Sequence, residues 1–253
     1  MKKFVVFSSA FVLMTAGYSQ VYSTGFEATE TPTWDATGAT NSWSVNAFSG
    51  NVNSTPGFGF VKNTGVIIQG AQSAEVSNTS ANFSDYTATR ALNAGTKKLF
   101  ISALIRPSAI TGNRAFGVFA GSGYRAFFGQ DGTGAYGLYL SNGATFATTK
   151  MATISNPLNT INYISMTIDI STIGTGTGVQ RVNFNGTTYT LAGFNVTGTT
   201  SNLTSAGMLS RAIGSSSGTA RFDRFGYTTV PEPASMLALG AGLAAVAARR
   251  RKK

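Results

Sequence analysis

The stretch YISMTIDI, Tyr163–Ile170, alternates without a break: Ile164, Met166, Ile168 and Ile170 fall on one side, and Tyr163, Ser165, Thr167 and Asp169 on the other. A period of two is the mark of a β-strand with one buried and one wet face. On the N-terminal side, KLFISALIR (Lys98–Arg106) is apolar on both faces, as a central strand of a sandwich would be. Pro107 lacks a ladder donor and is expected to end it. Asp131-Gly132, Asn142-Gly143 and Asn185-Gly186 each follow a β-rich run (YRAFFGQ, YGLYLS, QRVNF). These pairs suit type I′ turns, whose two central residues need positive φ. They predict one meander from about Ala115 to Leu191, while Gly174–Gly178 and Ser215–Gly218 read as flexible loops. No part of the body carries a long helical period. The expected fold class is all-β: a single antiparallel β-sandwich.

The two ends of the chain follow different rules. Lys2 and Lys3 precede an uncharged apolar run, Phe4–Ala16, and then small or polar residues (Gly17, Ser19). This is the three-part order of a secretory signal peptide, with cleavage expected near Ser19. At the other end, Pro231-Glu232-Pro233 leads into the apolar segment Ala234–Ala248, and five cations close the chain: Arg249, Arg250, Arg251, Lys252 and Lys253. The 15 apolar residues would rise roughly 22 Å as a helix, short of the roughly 30 Å of a hydrocarbon core. Local thinning and snorkelling cations would let such a helix hold the membrane, with the basic run on the cytoplasmic side. The expected organisation is a signal peptide at 1–19, a β-sandwich at 20–229 and a tail at 230–253.

That division changes how the charge reads. The chain has a formal net charge of +10. Without the two lysines of the leader and the tail's five cations and one acid, 12 basic residues face eight acids, about +4. The remaining cations are scattered singly apart from Lys97-Lys98, which argues against nucleic acid as a partner. The sequence contains no Cys and no His. That rules out disulfides, a Ser-His-Asp triad, a cysteine nucleophile and an ordinary zinc site.

The order Val-Pro-Glu-Pro, short apolar helix, basic end at Val230–Lys253 resembles the PEP-CTERM sorting tail of secreted proteins in Gram-negative bacteria that make extracellular polysaccharide. The resemblance implies passage through the secretion machinery and a transient inner-membrane anchor. An exosortase, a membrane cysteine protease-transpeptidase, would then process the chain near the triplet. The end point would be the cell surface or the extracellular (biofilm) matrix. The body is similar in its motif order to concanavalin A-like and laminin-G-like jelly rolls, from Thr24-Gly25-Phe26-Glu27 at the start to Ala220–Phe225 at the end. In that group the first and last strands lie side by side.

Function is less sharply written. A glycosidase needs two carboxylates roughly 5–10 Å apart. The close-set acids of jelly-roll glycosidases, Glu-x-Asp-x-x-Glu, do not occur here. A non-enzymatic matrix role is therefore expected, with a lectin-like module for extracellular polysaccharide as the alternative and a glycoside hydrolase behind both. Trp34 and Trp43, on either side of a polar stretch, are the candidate sugar platforms. Tyr124, Tyr136 and Tyr139 lie on the expected meander. By resemblance to jelly-roll carbohydrate-binding modules, Glu27 and Asp223 would hold a structural calcium ion, a cation that takes oxygen ligands.

Overall fold

A computed structural model describes residues 20–24, 44–48, 59–63, 68–70, 73–78, 85–121, 123–130, 133–141, 148–171, 178–194 and 203–229. Among these there is no helix. Thirteen strands run in order: β1 Val21–Thr24, β2 Ser44–Phe48, β3 Gly59–Asn63, β4 Ser73–Asn78, β5 Asp85–Ala91, β6 Lys98–Ala120, β7 Tyr124–Gln130, β8 Tyr136–Ser141, β9 Thr148–Thr153, β10 Asn162–Asp169, β11 Gly178–Phe184, β12 Thr187–Phe194 and β13 Ser205–Thr229. Every pairing is antiparallel, and together they form one nearly closed sheet folded into two layers, a jelly-roll-like sandwich.

Two long strands make the fold. β6 (23 residues) and β13 (25 residues) pair along most of their length and belong to both layers. The start of β6 and the end of β13 sit in a first sheet, ordered β12-β11-β10-β6-β13-β4-β3, with β1 also on β13. The end of β6 and the start of β13 sit in a second sheet, where β2 and β5 extend from β13 and β7, β8 and β9 extend from β6.

The strand does not stop at Pro107 as the sequence suggested. The register shifts there, from Thr219↔Ala109 to Ala220↔Pro107, so Ser108 is an extra residue and the missing proline donor falls at a bulge. Pro107 is buried, and its carbonyl accepts the Asn159 amide at 2.7 Å. The expected loop at Ser215–Gly218 is a second irregularity inside β13: the register slips between Ile213 and Ser217, opposite Gly112 with its φ of 65°. Bulges bend the strands on which they fall, and here they take one strand pair from one layer to the other.

The single meander is likewise two. β7-β8-β9 belongs to the second sheet and β10-β11-β12 to the first. The crossing at 154–161 is pinned where Asn156 Oδ1 accepts the Leu158 amide and Asn162 Nδ2 donates to the Pro157 carbonyl. The Asn185-Gly186 turn is as read, with φ of 48° and 92°.

The core lies between the layers. Leu99, Ile101 and Ile105 of β6 meet Ile164, Met166 and Ile168 of β10, with Phe116, Phe128, Phe222 and Phe225 filling the space beyond. The ends of the body meet as the jelly-roll resemblance implied. β1 pairs with the close of β13, Val21 opposite Thr228. The Gln20 amide donates to Thr229 Oγ1 at 2.7 Å, the Thr229 amide donates to the Gln20 carbonyl, and Gln20 Nε2 donates to the Tyr227 hydroxyl.

Candidate functional site

The second sheet carries a second cluster on the side facing away from the core. Along β6, Phe116, Val118 and Ala120 point inward, so Ala115, Gly117 and Phe119 point out. The same parity on the neighbours turns out Arg125 and Phe127 of β7, Tyr139 of β8, Lys150 of β9, and Leu209 and Arg211 of β13. Cross-strand register sets these side chains in rows. One row runs Gly207–Phe119–Arg125–Ser141 and the next Leu209–Gly117–Phe127–Tyr139–Lys150.

An outward face should be wet, yet Phe119, Phe127 and Leu209 are buried, and Arg125 is 0% exposed. Glycines account for part of this. A Cβ on Gly117 would stand 1.9 Å from the Ala126 carbonyl oxygen, and one on Gly207 would stand 2.1 Å from that of Ala88. The backbones approach too closely there for any side chain, and a Cβ on Gly137 would meet the Tyr139 hydroxyl at 2.5 Å, so that ring lies over bare chain.

Within the cluster, cations and rings form a column. Lys150 Nζ lies 5.9 Å from the Tyr139 ring centre. Tyr139 stacks on Phe127 at 5.6 Å with 18° between the planes. Arg211 Cζ lies 5.2 Å from the Phe127 ring. Arg125 stands beside the column, its Cζ 5.5 Å from the Phe119 ring. Such cation–ring contacts attract the charge to the ring face and hold a guanidinium or ammonium in place. Lys150 is exposed, and Tyr139 and Arg211 are half-buried.

Sequence reasoning placed Tyr139 on a hairpin but missed its neighbours, because Arg125, Lys150 and Arg211 are isolated in the chain and only register brings them to one face. Tyr124 points the other way into the core, where burial raises its pKa, and Tyr136 packs against that core.

Glu27, Trp34, Trp43, Pro231, Glu232, Pro233 and the basic run Arg249, Arg250, Arg251, Lys252, Lys253 lie outside the described residues, as do the leader and the apolar tail segment. Among the described residues no helix is long and apolar enough to cross a membrane.

Asp223 is described and fully buried. Its Oδ2 accepts the Gln69 amide at 2.7 Å and its Oδ1 the Arg224 amide at 2.6 Å. Arg224 has a φ of 45°, and the register slips between Asp223 and Gly226. The carboxylate thus holds a bulge and ties residue 69 to β13. Arg221 is engaged elsewhere, with Glu75 at 2.8 Å. Among the described residues no three acids gather as a metal site.

Fold and surface define an all-β, jelly-roll-like protein with a cation–aromatic cluster on one sheet. Solved structures of similar fold are a cellulose-induced protein, Cip1 (TM-score 0.51, 14% identity, 81% of this chain and 96% of that one), and a carbohydrate esterase of the Shiga toxin-encoding bacteriophage phi24B (0.51, 13%, 83% and 100%). A variant of the alginate lyase Aly36B in complex with an alginate trisaccharide is a third (0.50, 14%, 86% and 99%). No curated protein matches the sequence. Residues 229–252 match the PEP-CTERM protein-sorting motif, which marks an exported protein for exosortase sorting.

Proposed function

We propose that the chain is an exported matrix or cell-surface protein whose β-sandwich body associates with extracellular polysaccharide without chemically altering it. The observation that carries this reading is the sorting motif at 229–252, which begins at the last residue of β13. The organisation into a signal peptide (1–19), a body (20–229) and a tail (230–253) accords with the clasp of Gln20 to Thr229, which puts both ends of the body at one place. A body held by its C-terminus would keep that place toward the membrane until an exosortase-type enzyme acts near Pro231–Pro233. The polysaccharide part draws on the names of the fold neighbours, which concern cellulose induction, a carbohydrate esterase and bound alginate.

Deleting Pro231–Pro233 in the native host tests the sorting. The deletion variant stays uncleaved in the membrane fraction; release equal to that of the unaltered chain contradicts the proposal. Incubating the exported protein with host polysaccharide yields no new reducing ends, and their appearance would make it an enzyme. Trp34 and Trp43 remain proposed sugar platforms, tested by the loss of glycan retention in Trp34→Ala. A calcium ion shared by Glu27 and Asp223 would have to use a carboxylate that already accepts two amide hydrogens. An EDTA-induced fall in melting temperature supports the ion, and an unchanged one removes it.

A further inference from the structure

We infer that the column Lys150–Tyr139–Phe127–Arg211 on the outer face of the second sheet is a binding site for acidic polysaccharide, a chain of carboxylate-bearing sugars; this rests on the polysaccharide reading above and gives it a place and a charge. The column has a cation at each end and two rings between them. Each ring stacks on the other and has a cation near it. The rings are therefore the spacer, and the charged ends are the groups that a ligand meets. Lys150 is exposed; Arg211 is half-buried, with its Nε and Nη1 covered, and Phe127 is only 3% exposed.

Stacked rings hold the two charges apart at a fixed separation. One small anion cannot reach both ends across two rings, but an extended polyanion can. Guanidinium and ammonium groups both bind carboxylates through charge-assisted hydrogen bonds. The body's own balance of about +4 favours the same sign of ligand. Nucleic acid is a poorer fit. Single strands bind by stacking bases on open aromatic faces, which the column does not offer, and duplexes are held by many phosphate contacts.

The test uses the protein as the host exports it, with polygalacturonate, neutral dextran and a duplex DNA fragment as probes. The exported protein is expected to bind polygalacturonate, more weakly as salt rises, and to ignore dextran. Lys150→Glu alters an exposed side chain and leaves any remaining tail cations untouched. It should weaken binding about tenfold, the scale of a single charge-assisted hydrogen bond, and Lys150→Arg should restore it. Arg211→Gln, checked for an unchanged melting temperature, should weaken binding similarly.

Wild-type affinity in both Lys150→Glu and Arg211→Gln would remove the column as the site. Equal binding of dextran would overturn the acidic specificity while leaving the polysaccharide reading intact. Tighter binding of DNA would overturn the ligand class. Binding of no glycan, with host polysaccharide included, would remove the polysaccharide reading and this inference together.

Discussion

The outer faces of the two sheets are built by the same alternation and come out opposite. On the first sheet, the face away from the core carries Ser102, Thr167, Asn183 and Thr228 beside the buried Ser165, with Phe100 and Tyr163 38% and 37% exposed among them. It is an ordinary solvated surface, on which single apolar groups need no explanation. On the second sheet the corresponding face buries Phe119, Phe127 and Leu209 beside two arginines and a lysine. Alternation alone therefore does not decide which face is wet. On the second sheet Gly117 and Gly207 are pressed against neighbouring backbone, at 1.9 and 2.1 Å for an added Cβ, whereas Gly226 on the first sheet's outer face has 3.1 Å.

The contrast is open to measurement. Phe127→Ala should cost about 3–5 kcal/mol in chemical denaturation, the scale of emptying a packed aromatic site; a destabilisation no greater than that of a surface change would erase the distinction. Gly117→Ala comes next, at about 1–3 kcal/mol of overpacking, because backbone rather than a pliable side chain blocks the new methyl. Asp223→Ala should lower stability by about 1.5 kcal/mol, by leaving the Gln69 and Arg224 amides without the carboxylate. On the first sheet's outer face, Phe100→Ala should cost about 0.5 kcal/mol, as substitutions outside packed sites do.

The smallest effect concerns Asp169, on that same outer face. Partial burial pushes its pKa up, but hydrogen bonds from Ser171 and the Lys98 ammonium at 2.9 Å outweigh this and hold it below the usual carboxylate value. A lowered folded pKa contributes stability above the unfolded value, about 3.9, and loses it as pH falls through the folded value. Asp169→Asn should therefore differ from the parent by less than about 0.5 kcal/mol near neutrality, and the difference should vanish in acid. A difference that grows on acidification would reverse the assignment.

Much of the first sheet was legible in the sequence. Ile164, Met166, Ile168 and Ile170 are buried as their spacing requires, and Asn185-Gly186 turns as its composition requires. Local pattern suffices there because burial and turn chemistry are properties of neighbouring residues. The second sheet's cluster was not legible. Arg125, Lys150 and Arg211 lie far apart in the chain and meet through the register of β6, β7, β8, β9 and β13. The bulges at Ser108 and near Gly112 were missed for a related reason. Pro107 and the Ser/Gly run at 215–218 carry end-of-strand signals, but long pairing between β6 and β13 absorbs them as bends. The tail, by contrast, was readable because a sorting signal is recognised as a linear motif.

A crystal structure of the exported protein with an acidic oligosaccharide bound decides between the two outer faces. Sugar carboxylates are expected against Lys150 and Arg211, spanning the stacked rings of Tyr139 and Phe127. Sugar seated instead on the first sheet, over Phe100 and Tyr163, would contradict that placement.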